Sequence, residues 1–353
     1  MPKERVTLKK IAEKLGVSVP TVSRALKDYP DISKETKAAV LKLVDELNYI
    51  PNSLALNLRK NKSNIIGVII PEVVHFFFSS VVKGIMSYAD DNGYSVLLTQ
   101  SEEKIEQEKK RAKLLYTTHV DGLLVCLSDE TRSFDHFNIF KEYNIPMVLY
   151  DKVSQDYEVS HVVVNDYEGA FQATEHLIHQ GCGKILFLRG TNEPLNAAER
   201  YRGYIGALKA YDIDIDSERI LSCHSIARND AYDVVKRQIT NGSKFDGIVC
   251  ISDLLAVGAL AACQDAGISV PDDVCIIGFS DSEMCQIVRP KLSSVYQPGF
   301  EIGRRATELL IKEIEDIEND RQCNYQKIVL DTNLKIRESS NKVRKALKEN
   351  ISK

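Results

Sequence analysis

The chain has 353 residues, 44% of them hydrophobic, and a formal net charge of −4 at pH 7. This length predicts about two or three domains with full hydrophobic cores, and no apolar run reaches the roughly 18 residues of a membrane helix. The charge is uneven: residues 1–63 hold 13 Lys and Arg against 7 Asp and Glu, a net +6, so the rest of the chain carries −10. The sequence therefore predicts a basic head, which suits a phosphate-rich partner, on an acidic body.

Two short helices joined by a tight turn are predicted near the N-terminus. In the stretch LKKIAEKLGVSVPTVSRAL, Gly16 can end the first helix, Ser18 can cap the second, and Pro20 falls in its first turn. The second helix then exposes hydroxyls, small apolar groups and one arginine, at Val19, Pro20, Thr21, Ser23 and Arg24. Such a helix fits the major groove, where arginine can bind guanine with two hydrogen bonds. An ordinary helical hairpin has the same local pattern.

A third helix and a connector follow. The run SKETKAAVLKLVDELNY predicts a helix capped by Ser33, which completes a three-helix head over residues 1–50. Residues 51–64 form a connector in which the apolar LALNL precedes the basic RKNKSN. LALNL is too short for a stable isolated helix.

The body, residues 65–339, alternates apolar strands with amphipathic helices, which is typical of parallel α/β sheets. Strands are predicted at IIGVII, YSVLLTQ, DGLLVCL, PMVLYD, HVVVN, KILFLRG, RILSC, DGIVCIS, DVCIIGF and KIVLDT. One open sheet rarely holds so many strands, so we predict two similar lobes, with ligands bound at the carboxyl ends of the strands. Residues 340–353 form a basic tail that lacks the sustained leucine heptads of a tetramer, so we predict a dimer.

Several sequence features argue against a metal centre or an enzyme. The eight cysteines form no C-x-x-C pair, and several fall in strand-like runs, so most of them are predicted to be reduced core residues. His176 and His179 share a helix face without a further metal-ligand motif. No phosphate-binding glycine loop or activated nucleophile stands out, and we predict no cofactor and no catalysis. The charged start MPKERVTLKK lacks the apolar core of a signal peptide, so we expect a cytoplasmic protein.

Family-like segments occur in order along essentially the whole chain: VTLKKIAEKLGVSVPTVSRAL, ELNYIPN, SLALNLRK, DGLLV, RYRGYIGAL, ISDLLAVGAL, VPDDVCIIGF and SSVYQP. Together they resemble the lactose-repressor and purine-repressor family of bacterial transcription regulators. The resemblance implies an α/β fold with a helix-turn-helix head, a hinge helix and a two-lobed body similar to periplasmic sugar-binding proteins. It also implies a homodimeric repressor that binds near-palindromic double-stranded operator DNA, under the control of a sugar or sugar derivative in the cleft.

The resemblance assigns DNA-binding roles to individual residues. Val19, Pro20 and Arg24 match base-reading positions, and a proline at the second of these is unusual for a hydrogen-bonding reader. Positions that touch phosphate are matched by Thr7, Ser18, Thr21, Ser23 and Asn52. Leu58 matches the hinge leucine that wedges into the minor groove, and Ala55 matches the small residue beside it. An apolar wedge of this kind can unstack a base step and bend the duplex.

The effector site is assigned in the same way. Of the phenylalanines in HFFF, Phe77 and Phe78 are expected to face the effector, whereas Phe76 is assigned to the core. Arg200 matches the family's ligand-binding arginine, and neighbouring ligand positions are matched by Asn196, Ile226 and Ser252, with Asp253 beside the last. The family commonly has an aspartate where GFSD places Ser280, with Asp281 one residue later. We therefore do not expect the effector to bind as lactose-like or purine ligands do.

A second interpretation stays open from the residues. The chain could be a cytosolic sugar-binding or sugar-modifying α/β protein whose N-terminal helices serve dimerisation. DNA retention by the intact chain, but not by residues 61–353, would separate the two interpretations.

Overall fold

The computed structural model describes residues 6–47, 49, 62–73, 76–190 and 194–342. Its chain divides into two compact units, Met1–Ser63 and Asn64–Lys353. The proposed hinge residues Asn52, Ala55 and Leu58 lie outside the described residues, as do residues 343–353 of the tail. The finer division into head, hinge, body and tail stays a prediction.

The N-terminal unit contains the helices α1 (Leu8–Leu15), α2 (Val19–Leu26) and α3 (Lys34–Glu46). Gly16 ends α1 with φ 65°, in the left-handed conformation that glycine adopts without strain. Ser18 caps α2, because its Oγ accepts a hydrogen bond from the Thr21 N–H at 3.2 Å. A small core holds the helices together, made of Ile11, Ala12, Val22, Ala25, Val40 and Tyr49. The predicted helix, turn and helix are confirmed.

The first lobe of the body is built on a six-stranded parallel sheet in the order β11-β5-β4-β3-β1-β2. Its strands are β1 (Ile65–Ile70), β2 (Ser95–Gln100), β3 (Gly122–Val125), β4 (Met147–Tyr150), β5 (Ser160–Val164) and β11 (Lys327–Leu330). Its helices are α4 (Phe76–Asp91), α5 (Ile105–Thr117), α6 (Asn138–Glu142) and α12 (Gly299–Glu318). Apolar side chains cover both faces, as a buried parallel sheet requires.

The second lobe repeats this architecture with the order β12-β10-β9-β8-β6-β7. Its strands are β6 (Ile185–Gly190), β7 (Ile220–Cys223), β8 (Gly247–Cys250), β9 (Cys275–Ser280), β10 (Ser293–Tyr296) and β12 (Asn333–Lys335). Its helices are α7 (Asp166–His179), α8 (Leu195–Ala210), α9 (Arg228–Thr240), α10 (Asp253–Asp265) and α11 (Met284–Ile287). β12 pairs antiparallel to β10, which departs from the otherwise parallel pairing. The predicted two-lobed α/β body is confirmed, with β10 and β12 in addition to the predicted strands.

The chain passes between the lobes more than once. It leaves the first sheet after β5, since α7 packs on the second sheet, and it returns after β10, since α12 packs on the first. Strand β11 then joins the first sheet, and β12 joins the second. Each lobe is therefore assembled from distant segments, and loops from both lobes can meet at one site.

Close helix packing positions the start of α4. A Cβ on Gly84 would overlap the carbonyl of Phe300 in α12, and a Cβ on Gly303 would overlap the carbonyl of Val81 in α4. These glycines let the two helix backbones approach closely, as only a residue without a side chain can. This contact fixes α4, whose first turn carries Phe77 and Phe78, on the first sheet.

All eight cysteines have free thiols, and seven of them are buried, which confirms the prediction of reduced core residues for these seven. Cys323 is only half-buried. In the described ranges, no group of three metal-ligating side chains is placed to hold a metal ion. His176 Nε2 instead contacts the Ser340 carbonyl at 3.0 Å, and His179 Nε2 contacts the Tyr211 hydroxyl at 3.0 Å. None of the helices that the structure describes is long and apolar enough to cross a membrane.

Glu313 on α12 is expected to make stability depend on pH. The residue is 5% exposed and its carboxylate accepts a hydrogen bond from Ser160. Burial raises its pKa from 4.5 to about 7, against the lowering effect of the Ser160 hydroxyl. Because the folded pKa is the higher one, the stability that this group contributes is complete below about pH 4.5 and is lost as the pH rises through about 7.

At pH 8 the free energy of unfolding of the Glu313→Gln variant should therefore exceed that of the wild type by about 1 to 3 kcal/mol. Near pH 4.5 the two proteins should be equally stable. Urea unfolding across this pH range measures the difference. Glu315→Gln, at an exposed position of the same helix, is the matched control and should change little. Parallel pH profiles for wild type and Glu313→Gln would show that Glu313 does not titrate in this range.

Candidate functional site

The head presents the N-terminal half of α2 to solvent. Val19 is 38% exposed and Pro20 is exposed, whereas Thr21 and Ser23 are half-buried. Thr7 is the N-cap of α1, and its Oγ1 accepts a hydrogen bond from the Lys10 N–H at 3.3 Å. The proposed phosphate contacts Thr7 and Ser18 thus also begin α1 and α2, where unpaired backbone N–H groups favour an anion.

Arg24 lies on the exposed side of α2 with its guanidinium held by two neighbours. Its Nη2 is 2.8 Å from Asp31 Oδ2, and its Cζ lies 5.4 Å from the centre of the Tyr29 ring. Both side chains of the ion pair are about half exposed, so solvent screens the attraction and the pair contributes little to stability. The guanidinium is therefore available to another partner.

A cavity of about 130 Å³ opens where loops from both lobes meet. The lining residues lie in loops and at the N-terminal ends of helices that follow the carboxyl ends of strands, which is where ligands bind in open α/β sheets. The first lobe contributes Phe77, Phe78, Glu103, Asp129, Asp151 and Lys152. The second contributes Pro194, Asn196, Ala197, Arg200, Ile226, Ile251, Ser252, Ser280 and Gln297. A larger cavity of about 560 Å³ shares Asp151 and Asn196 with it.

The cavity thus brings together Phe77, Phe78, Asn196, Arg200, Ile226, Ser252 and Ser280 from the residues predicted by resemblance. The rings of Phe77 and Phe78 meet edge to face with centres 5.2 Å apart. The assignment of Phe76 to the core is wrong, since this side chain is 47% exposed, whereas Phe78 belongs to the core and also lines the cavity. Successive helix residues point about 100° apart, so the three phenylalanines cannot all face inward.

Two predicted effector residues do not line the cavity. The Asp253 carboxylate is turned into the lobe, where Oδ2 accepts from the Ser282 N–H at 2.7 Å and Oδ1 accepts from the Ser294 hydroxyl at 2.5 Å. Burial raises the pKa of Asp253 to about 6, and these hydrogen bonds oppose the rise. Asp281 accepts a hydrogen bond from Arg337 Nη1 at 2.6 Å. Both carboxylates are therefore engaged in holding the loop after β9.

Arg200 is buried at the base of the cavity. Its Nε donates to Asp166 Oδ1 at 2.8 Å, its Nη1 donates to the Ile251 carbonyl at 2.7 Å, and its Cζ lies 3.8 Å from the centre of the Phe279 ring. Burial raises the pKa of Asp166 to about 7, although Arg200 acts to lower it. The guanidinium is thereby oriented before any ligand arrives, which is what a binding anchor needs.

Five polar residues of the cavity were not predicted from the sequence: Glu103, Asp129, Asp151, Lys152 and Gln297. Lys152 Nζ lies 2.5 Å from Glu103 Oε1 and 2.5 Å from Asp129 Oδ1. Burial alone would lower the pKa of Lys152, but the two carboxylates outweigh it and raise the pKa above its usual value. Each of these residues follows a strand directly or within four positions, a signal that could have found them.

Two protein-family models match separate parts of the chain. Residues 7–52 match the bacterial regulatory proteins of the lacI family, and residues 174–340 match the periplasmic binding protein-like domain. The HTH-type transcriptional regulator RegA of Clostridium saccharobutylicum is 32% identical over 335 residues, which cover 95% of this chain and 99% of the relative. The ribose operon repressor of Halalkalibacterium halodurans is 34% identical over 309 residues, or 88% of this chain and 90% of the relative.

A solved structure shows the same fold over nearly the full length. The transcriptional regulator CelR in complex with cellobiose has a TM-score of 0.72 and 25% sequence identity, and the match covers 95% of this chain and 100% of that chain. The same family is indicated by the exposed α2 of the head, by the two-lobed body and by relatives of matching length. The chain belongs to the lacI family of bacterial transcription regulators, whose members bind DNA.

Proposed function

We propose that this protein is a repressor whose affinity for operator DNA is controlled by a sugar or sugar derivative bound in the cavity between the lobes. The observation that carries the proposal is the cavity itself, where a preoriented arginine and two aromatic rings meet. Relatives support the ligand class, since one is named ribose operon repressor and another is a complex with cellobiose. Arginine and aromatic rings are suited to hydroxyl pairs and to the apolar face of a sugar.

In this proposal the head reads DNA with Val19, Pro20 and Arg24 and contacts phosphate through Thr7, Ser18, Thr21, Ser23 and Asn52. Leu58 wedges into the minor groove from a hinge that folds on binding, and Ala55 is the small residue beside it. The effector contacts Phe77, Phe78, Asn196, Arg200, Ile226, Ser252 and Ser280. An effector that changes the angle between the lobes would move two hinge segments together or apart and so change DNA affinity.

Selection from a random duplex library by the full-length protein tests the DNA-binding part. We expect enrichment of a near-palindromic sequence, followed by a change in its affinity when one of a panel of sugars is added. Failure to enrich any sequence would instead favour the sugar-binding or sugar-modifying protein whose N-terminal helices serve dimerisation.

The oligomeric state follows from how the heads would read DNA. Two heads that read a near-palindrome require a twofold dimer, so we expect a homodimer in solution. Light scattering on the full chain, with and without operator DNA, measures the mass. A stable tetramer would contradict the prediction.

A further inference from the structure

The wall that the first lobe contributes to the cavity is acidic. Glu103, Asp129 and Asp151 all line it, and the cation beside them is Lys152. Arg200, on the opposite wall, is already paired with Asp166. Carboxylates therefore outnumber cations among these five cavity residues, three to two, before Asp166 is counted.

Lys152 is not placed to attract an anionic ligand. Its ammonium has three N–H donors, and contacts of 2.5 Å to both Glu103 and Asp129 engage two of them. Glu103 also accepts a hydrogen bond from the Asp129 N–H through Oε2 at 2.9 Å, which joins the loops after β2 and β3. Any phosphate brought to this ammonium would lie against two carboxylates, and like charges at short range repel strongly.

The side-chain amide of Gln297 lies beside this acidic wall. Gln297 is 3% exposed and lines the cavity, and its Oε1 accepts a hydrogen bond from the Ser280 hydroxyl at 2.9 Å. That contact orients the amide, and no atom of the described residues accepts a hydrogen bond from Nε2 with good geometry. Burial raises the pKa of Asp151, and hydrogen bonding by the side chains of Asn196 and Gln297 is among the effects that lower it, so the Gln297 amide lies near this carboxylate. The buried N–H₂ group carries two N–H donors, and a ligand oxygen can accept from one of them.

We propose that the effector is an uncharged polyhydroxyl compound, with no phosphate or carboxylate, whose hydroxyl groups donate to Glu103 and Asp151 and accept from Gln297 Nε2. This inference rests on the proposed function, in which this cavity binds the effector. A hydroxyl group is both donor and acceptor, so it can donate to the carboxylates of one wall and accept from the amide of the other. The rings of Phe77 and Phe78 provide an apolar surface for the C–H face of such a ligand.

Ligand binding to the full-length wild-type protein tests the proposal without DNA. Calorimetry and thermal shift would compare D-ribose, D-glucose, D-galactose and cellobiose with ribose 5-phosphate, glucose 6-phosphate, galactose 6-phosphate and D-glucosamine. We expect at least one uncharged sugar to bind, and we expect its phosphate ester to bind more weakly by about 100-fold or more. The proposal is overturned if no uncharged member binds, if a phosphate ester binds as tightly as its parent sugar, or if glucosamine binds more tightly than glucose.

Two variants test the cause of the selectivity. Glu103→Gln and Asp129→Asn each release Lys152 from one carboxylate, so the preference for the uncharged sugar over its phosphate should shrink by about 10-fold, and inorganic phosphate should begin to compete. Glu102→Gln, at the exposed neighbouring position, is the matched control and should keep the wild-type preference. An unchanged preference in folded Glu103→Gln and Asp129→Asn would overturn the assigned role of the acidic wall. If either variant fails to fold, the wild-type comparison still decides the ligand class.

The outcomes for ligand class and for regulation are separable. An uncharged sugar that binds in the cavity without changing operator affinity would contradict the proposed regulation and leave this inference intact. Control of operator affinity by a sugar phosphate would contradict this inference and leave the proposed regulation intact.

Discussion

Replacing Arg200 with alanine is expected to weaken effector binding by about 10- to 100-fold, since a charged hydrogen-bond donor contributes roughly 1.5 to 3 kcal/mol and the cavity loses its oriented anchor. Asp166 would also lose its cation while remaining 6% exposed. Removing one partner of a buried ion pair costs about 3 to 5 kcal/mol, so the body should also be less stable. Operator binding by the ligand-free protein should stay nearly intact, because the head is a separate compact unit.

Calorimetry with the identified sugar measures the loss of binding, and fluorescence anisotropy with operator DNA measures the loss of response. Arg202→Ala is the matched control: Arg202 lies on the same helix, its side chain is 66% exposed, and it pairs with Glu199. Combining Arg200→Ala with Asp166→Asn removes the unpaired carboxylate and should restore stability without restoring binding. A normal effector response in folded Arg200→Ala would show that the binding site lies elsewhere.

Local patterns in the sequence were sufficient for the helices of the head and for most strands. Gly16, Ser18 and Pro20 determine the turn between α1 and α2 through backbone preferences that act within a few residues. The strands β10 and β12 were not predicted because they are short, and SSVY and NLK lack an apolar run. Their assignment depends on pairing with β9 and with each other, which a local pattern does not contain.

The cavity shows where such patterns stop being sufficient. Lys152 directly follows a strand-like run, yet its two carboxylate partners lie 49 and 23 residues away in sequence. Asp253 begins a helix, a position that suits either a ligand contact or a structural one, and partners 29 and 41 residues away decide for the structural one. Which polar groups meet therefore depends on strand order, and strand order is a property of the whole fold.

Arg24→Ala is expected to weaken operator binding by about 1 to 3 kcal/mol and to relax the preference at one base pair of each half-site. Affinity for random DNA should fall only slightly. The reason is that a bidentate contact to guanine carries sequence information, whereas a charge near the backbone does not. Arg24 is exposed and is held near Asp31 and Tyr29 by contacts that solvent weakens, so it can reach a base edge.

Two charge variants separate base reading from general attraction to phosphate. Lys27→Ala removes one positive charge just after α2, and it should weaken binding to operator DNA and to random DNA by similar factors. Asp31→Asn removes a negative charge beside Arg24. It should slightly strengthen binding to both operator and random DNA, while the preferred sequence stays the same. Anisotropy titrations on operator and random duplexes at several salt concentrations provide all of these affinities. If Arg24→Ala behaves like Lys27→Ala, with equal losses on both duplexes, then Arg24 contacts phosphate and another residue reads the guanine.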